Sequence, residues 1–297
     1  MEKKLTICIP TYRRLKYIET LLNSIPSEIP VIISDNGNYI KNELHQFTNA
    51  KIIHTKQTIP MFKNWNHAIQ QVKTEWFIIP GDDDVFLTEK LQHVNQYIEK
   101  YKEMGMIIFG HNIINEYDQI SKGWIPQQEK VFQPPMGFQL FKTGVAARVP
   151  SIIFNTHKFK SCGQFDERFL YTAADSFLIQ KLALNFPYVF IPYPLSLYRV
   201  WESNYTNTKI SSIEWFDQIK LWTSSLGPLV TEKNEILKIN IKQMQDKILL
   251  DNELFALHTM KKNKISAMQR FNFIMKIGWP FHINLKKHLQ LIKNILC

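Results

Sequence analysis

Apolar runs and amphipathic segments alternate along the first hundred residues. "LTICIP" (5–10), "VIISDNG" (31–37), "KIIHT" (51–55) and "WFIIP" (76–80) are short, rich in β-branched or aromatic residues and bounded by turn formers, the signature of buried strands. Between them, "RLKYIETLLNSI" (14–25), "YIKNELHQF" (39–47) and "FKNWNHAIQQVK" (62–73) carry apolar residues at helical spacing. Strands that alternate with helices predict an α/β fold with a mostly parallel sheet covered by helices on both faces. The middle is less regular: strands are expected in "MGMIIFGHNII", "VPSIIF" and "YVFIPYPLSLYRV", a helix in "AADSFLIQKLAL", and a Pro-containing excursion in "GWIPQQEKVFQPPMG". Beyond about residue 210 turn signals thin out and long helical patterns dominate, placing an architectural boundary near 205–212.

In a parallel sheet of this kind ligands bind beyond the carboxyl ends of the strands. Three of the expected strands end there in special residues: Pro10-Thr11-Tyr12-Arg13, Asp35-Asn36-Gly37, and Asp82-Asp83-Asp84 after Pro80-Gly81. Three adjacent carboxylates repel one another, so such a cluster persists where water or a cation disperses its charge. Both readings are open from the residues alone, an acidic turn in solvent or a site for a divalent metal. In an extended segment Asp82 and Asp84 would share one side and Asp83 would face away.

Composition narrows the class. The 297-residue chain has 45% hydrophobic and 21% charged residues, ordinary for a globular protein and long enough for a sizeable core. Cys8, Cys162 and Cys297 form no metal-binding or CxxC spacing, which predicts free thiols in a reducing compartment. No signal peptide and no spanning helix are expected. The net charge of +10 is concentrated at the end: residues 254–297 hold eight Lys and Arg and no Asp or Glu, leaving 28 basic against 26 acidic residues elsewhere. A basic tail rich in Phe, Ile and Leu suits an anionic surface, and Leu285, Leu289, Ile292 and Leu296 recur at helical spacing beside Lys286, Lys287 and Lys293. The same periodicity suits a helix packed on the protein or on a second copy of it.

In order and spacing, "ICIPTYRR", "IISDNG", "NWNHAI", "IIPGDDD", "FDERF", "AADSFL" and "YRVWESN" resemble the family 2 glycosyltransferases of the GT-A fold, over about residues 4–207. The resemblance implies a Rossmann-like catalytic domain at 1–207, its nucleotide-sugar half at about 1–100 and its acceptor half at about 101–207, followed by a basic helical extension at 208–297. It implies that Pro10, Thr11, Tyr12, Arg13, Asp35 and Asn66 hold the nucleotide, with Asp82 and Asp83 on the ribose side. Asp84 would meet Mn²⁺ or Mg²⁺ on the diphosphate, and Asp175 would act as the base of an inverting transfer. Asp175 also stands where a helix begins, which suits N-capping.

The implied donor is a nucleotide sugar, UDP-linked, and the implied acceptor a saccharide or lipid-linked saccharide in surface-polysaccharide synthesis. That work belongs in the cytoplasm at the inner face of the membrane, by a hexosyl- or N-acetylhexosaminyltransferase. The chain departs from the family pattern in three places. Ala174-Asp175 stands for the commoner Glu-Asp, so that a second carboxylate must come from elsewhere, such as Asp166 or Glu167. Trp201 stands where relatives carry a His, and Gly81 stands for the first Asp of the acidic motif.

Two other readings use the same residues. An aspartate-nucleophile phosphotransferase would employ Asp82-x-Asp84 with Mg²⁺, although Phe86 departs from that class and "TYRR" and "SDNG" are left unexplained. A basic nucleic-acid module would use His258, Lys261, Lys262, Lys264 and Trp279. The ordered set of motifs favours sugar transfer, with no nucleic-acid partner and with a homo-oligomer still open.

Overall fold

The computed structural model describes residues 3–40, 44, 46–201, 208–279 and 285–296, and of residues 285–290 the backbone alone. Within these, contacts divide the chain into two units: one of residues 1–141, 145–168 and 178–201, the other of 142–144, 169–177 and 202–297.

The first unit is built on a ten-stranded sheet. β1 (Leu5–Thr11), β2 (Val31–Asp35), β3 (Ala50–His54) and β4 (Trp76–Ile78) form its parallel half in the order β3-β2-β1-β4. All residues of β1, β2 and β4 are buried, which is why those segments read as continuous apolar runs and not as alternating ones. Each fully buried Ile or Phe contributes on the order of 2 kcal/mol, so Ile7, Ile9, Ile33, Phe77 and Ile78 anchor this half.

The other half is mixed. β5 (Val85–Phe86), β6 (Met106–Ile114), β9 (Ile152–Asn155) and β10 (Tyr188–Arg199) continue the order as β4-β9-β6-β10-β5, while β7 (Ile120–Ser121) and β8 (Lys130–Phe132) pair with β6 and β10. β6 and β10 are parallel, but β9 enters antiparallel between β4 and β6, and β5 lies antiparallel on β10. The register of β10 shifts around Pro192 and Pro194, residues that lack the N–H a regular ladder needs.

The helices that matter for the site are α1 (Ile18–Asn23), α2 (Met61–Gln70) and α6 (Ala174–Asn185); α3 (Thr88–Leu91), α4 (Val94–Lys100) and α5 (Thr156–Ser161) join the strands between them. α1 is shorter than the expected 14–25, running from Ile18 to Asn23, and Arg13 ahead of it has φ of 56°. Part of the expected helix at 39–47 lies outside the described residues.

The second unit is helical: α7 (Ile213–Glu232), α8 (Asn234–Leu237), α9 (Ile241–Lys262), α10 (Ala267–Ile277) and α11 (Leu285–Leu296). Ser212 and Asn240 cap α7 and α9 through their side chains, and Ser266 with Gln269 forms a capping box on α10. α7 and α9 approach closely at Gly227, where an added Cβ would come within 2.8 Å of Gln245 Nε2; that amide donates to Thr223 O. Among the described residues no helix is long and apolar enough to cross a membrane.

Candidate active site

The acidic segment is a turn. Asp84 N donates to Gly81 O at 3.3 Å, and Asp84 Oδ2 accepts from Gly81 N at 2.7 Å. The expectation that Asp82 and Asp84 share one side of an extended strand is therefore corrected: the chain turns at Asp82-Asp83, between Gly81 and Asp84, and the alternation rule does not apply there. A Cβ on Gly81 would lie 2.9 Å from Asp83 Oδ1 and 3.0 Å from Asp84 Oδ2, so this position favours glycine.

Each carboxylate has its own partners. Thr11 Oγ1, at the end of β1, donates to Asp82 Oδ2 at 2.7 Å. Arg14 Nη1 reaches Asp83 Oδ2 at 3.0 Å and Asp82 Oδ1 at 3.4 Å. Asp84 Oδ1 accepts from the backbone N–H of Arg199 at 3.0 Å. Burial pushes the Asp82 carboxyl up to about 6, against the pull of Arg14. Burial and then the neighbouring Asp83 push Asp84 well above the usual carboxylate range. A divalent cation would relieve that cost, and an all-oxygen donor set suits Mg²⁺ or Mn²⁺. Among the described residues no three His, Cys, Asp or Glu side chains gather as a metal centre; the oxygen donors at hand are the three carboxylates of the turn, and a diphosphate and water would have to complete the shell of an ion held there.

Arg199, Arg14, Tyr17 and Trp201 frame the turn, and none of their roles was read from the sequence. Arg199 is buried; its Nε donates to Asp83 O at 2.7 Å, and its Nη1 donates to Asn115 O at 2.8 Å and Asp118 Oδ1 at 2.7 Å. Its guanidinium lies 4.4 Å from the centroid of the Tyr17 ring. Trp201 meets Tyr17 edge-on, and the Arg14 guanidinium stands over the indole at 5.6 Å. The tryptophan that replaces the family's histidine thus supports the arginine that grips Asp82 and Asp83. A pairing of buried aromatics with "YR" and "RR" was the available signal.

Around the ends of β1 and β2 a second cluster forms. Asp35 is fully buried; its Oδ2 accepts from Ile40 N at 2.7 Å and lies 3.1 Å from His54 Nδ1, while Oδ1 has no partner. An unmatched buried carboxylate oxygen is costly, and an imide or amide N–H of a ligand is the donor it suits. Tyr12 and Tyr39 meet edge-on at 5.7 Å, with the Arg13 guanidinium over both rings and its Nη2 donating to Tyr39 Oη at 2.7 Å. Pro10 lies in β1 and pairs in register with Ser34.

Other expected site residues lie elsewhere. Asn66 Nδ2 donates to Phe165 O at 2.8 Å and Glu167 Oε1 at 3.2 Å, and its Oδ1 accepts from Phe165 N at 3.2 Å. Its amide thus fastens the 165–167 segment. Asp166 is bound by Arg168 Nε and Nη2, which hold its carboxyl below the ordinary value. Asp175 sits inside the first turn of α6, not ahead of it, and its Oδ1 accepts from Ser176 N at 2.8 Å. Residues 169–177 belong with the second unit.

Residues 6–159 match the model of a family described as glycosyl transferase family 2. Two uncharacterized glycosyltransferases are similar to the chain. The one from Rickettsia typhi is 23% identical over 246 residues, covering 78% of this chain and 74% of the relative. The other, from Rickettsia prowazekii, is 23% identical over 271 residues, covering 87% and 80%. Among solved structures, S. aureus TarS residues 1–349 in complex with UDP-GlcNAc aligns with a TM-score of 0.60 at 15% identity, covering 98% of this chain and 89% of that one. A mannosyltransferase from Pyrobaculum calidifontis in complex with GDP-Man and Mn²⁺ aligns with a TM-score of 0.56 at 12% identity, covering 99% and 85%.

Proposed function

The chain belongs to glycosyl transferase family 2, and on that premise we propose that it transfers a sugar, with inversion, from a UDP-linked donor to a saccharide or lipid-linked saccharide of a bacterial surface polysaccharide. The observation that carries this reading is the buried acidic turn beside Thr11 and Arg14 at the carboxyl rim of the parallel strands. A departing diphosphate needs its charge neutralised there, and a metal bound by one or two carboxylates supplies Lewis-acid stabilisation of the leaving group.

In this reading Asp84 faces the metal and Asp82 and Asp83 the ribose and diphosphate. Asp35 accepts from the imide of the base through its unpartnered oxygen, and Pro10 to Arg13, with Tyr12 as a packing face, enclose it. Asn66 acts by fastening the 165–167 segment. The acceptor hydroxyl oxygen attacks the anomeric carbon as the bond to the diphosphate breaks. The bonding pair leaves with the nucleoside diphosphate, and the hydroxyl proton passes to the carboxylate of Asp175. The relative bound to UDP-GlcNAc and the one bound to GDP-Man with Mn²⁺ support a nucleotide-sugar donor and a divalent ion. A hexose or N-acetylhexosamine fits both. Work at the inner face of the membrane follows from a lipid-linked acceptor.

Calorimetry with UDP and GDP, with and without Mn²⁺, tests the donor site. UDP should bind in a Mn²⁺-dependent way, and Asp84→Ala should lose that dependence. Asp175→Asn should bind UDP as the wild type does yet turn over about 10²-fold more slowly. Wild-type turnover by that variant would remove Asp175 from the mechanism, and metal-independent UDP binding would remove Asp84.

A further inference from the structure

One residue before Arg199 on β10 is Tyr198, and the alternation of a strand sends the two side chains to opposite faces of the sheet. On the Tyr198 face lies a group of side chains that the donor site does not use. His111 of β6 is 4% exposed and its Nδ1 has no partner. Its ring meets Tyr198 edge-on with centroids 6.0 Å apart, and Trp124 lies tilted at 6.4 Å. The exposed Arg148 places its guanidinium 5.2 Å from the centroid of Tyr198. Arg14, Arg168 and Arg199 each hold a carboxylate, but among the described residues no carboxylate pairs with Arg148. Trp124 is half-buried, and its carbonyl accepts from His111 N at 2.9 Å, which fixes the loop to the strand.

Two physical features mark this cluster as a ligand site and not as surplus core. A buried ring nitrogen without a partner is costly to keep. An arginine that rests on an aromatic ring with no acid beside it leaves its N–H donors for an anion, in the fork that suits a carboxylate or phosphate. Aromatic platforms combined with a few placed polar groups are the usual lining of a saccharide-sized site. Its place is fixed by the strand: Asp84 is bonded to the backbone N–H of Arg199, so the cluster begins on the residue next to the one that holds the acidic turn.

We infer that Trp124, Tyr198, Arg148 and His111 form an acceptor subsite for a saccharide that carries an anionic group, with Arg148 gripping the phosphate or carboxylate, the aromatic rings flanking the sugar, and His111 Nδ1 bonding a hydroxyl. This inference rests on the sugar-transfer reading for the word acceptor, but the binding it claims is measurable without it.

The test uses the full chain, saturated with UDP and Mn²⁺, and saturation-transfer NMR with glucose, glucose 6-phosphate, glucuronate and inorganic phosphate as probes. Glucose 6-phosphate or glucuronate should bind at least fivefold more tightly than glucose, and whichever of the two is preferred distinguishes phosphate from carboxylate. Arg148→Gln, an exposed position whose change leaves the fold intact, should abolish that preference and bring the charged probe down to the level of glucose. Trp124→Ala should weaken glucose and charged probes alike, and Trp124→Phe should restore part of the loss. Equal binding of glucose and both charged sugars, no sugar binding at all, an unchanged Arg148→Gln variant, or inorganic phosphate binding as tightly as glucose 6-phosphate would each overturn the proposal. Failure of UDP to bind would instead strike the donor reading, because the charged-sugar preference can be measured on the nucleotide-free chain.

Discussion

Arg199 is 2% exposed, and its backbone N–H and its Nε and Nη1 atoms all have partners in the structure. Its backbone N–H holds Asp84, its Nε holds the carbonyl of Asp83, and its Nη1 ties both to Asn115 and Asp118. The arginine thus fixes the shape of the turn without presenting its charge to it. Lysine cannot reproduce that fork. Arg199→Lys should leave the Asp83 and Asn115 carbonyls unmatched and destabilise the protein by about 2–4 kcal/mol, read from denaturant unfolding. Mn²⁺-dependent UDP affinity, measured by calorimetry below the melting temperature, should fall about tenfold. Unchanged affinity in a less stable protein would make Arg199 structural only. At this scale the sequence draws attention to the three adjacent acids, because their mutual repulsion has to be dispersed. It was a poor guide to what holds them: Thr11, Arg14 and Arg199 approach from residues 11, 14 and 199, and such contacts leave no local trace.

Among the elements, legibility followed how local the cause is. β1, β2 and β4 are buried on both faces and so spell themselves out as apolar runs, and α6 and β10 form within the segments expected of them. The antiparallel entry of β9 between β4 and β6 depends on partners about 50 to 80 residues away, and "VPSIIF" carries no sign of its direction. The acidic segment follows no strand alternation because the chain turns at Asp82-Asp83, closed by Asp84 N donating to Gly81 O. In the helical unit, α9 hides an element-level cost that periodicity alone does not show. Glu253 is buried there, its Oε2 has no partner, and burial pushes its carboxyl up to about 7 against the pull of Lys220.

The sign of the pH effect follows from the proton count. Below the unfolded value of about 4.5 both states of Glu253 are protonated and nothing is lost. As pH rises from there to about 7 the unfolded chain releases a proton that the folded one keeps, so stability falls. Above that range the penalty is complete, on the order of 3 kcal/mol. Glu253→Gln, neutral throughout, should therefore be more stable than the wild type at pH 8 and little different at pH 4.5. Urea midpoints at the two pH values decide it, and an equal difference at both would show that Glu253 does not titrate in this way.

For the molecule as a whole, the basic excess falls in the helical unit, where it meets exposed apolar residues. α10 buries Phe273, Ile274 and Ile277 and exposes Met268 (68%), Phe271 (43%) and Met275 (52%), a second apolar stripe at helical spacing. α11 divides similarly: Leu291 and Ile295 are buried, whereas Ile292 and Leu296 are exposed. The side chains of Leu285, Lys286, Lys287 and Leu289 lie outside the described residues. The helices of this tail thus carry a packed face and an exposed apolar face. Exposed apolar residues beside Lys261, Lys262, Lys264 and Lys276 suit the interface of an anionic bilayer, and each basic residue near such a surface contributes on the order of 1 kcal/mol. Cutting the chain near Leu254 would not test this, because it splits α9 and removes the buried Leu257, Met260, Ile274 and Leu291. The triple change Met268→Ser, Phe271→Ser and Met275→Ser alters exposed side chains alone and should leave the melting temperature and UDP affinity in place. It should abolish co-sedimentation with vesicles containing phosphatidylserine, which the wild type should show at low salt and lose at high salt, and which neutral vesicles should not support. If the triple variant sediments as the wild type does, the stripe is not the membrane contact; if the wild type ignores anionic vesicles, the tail serves another partner.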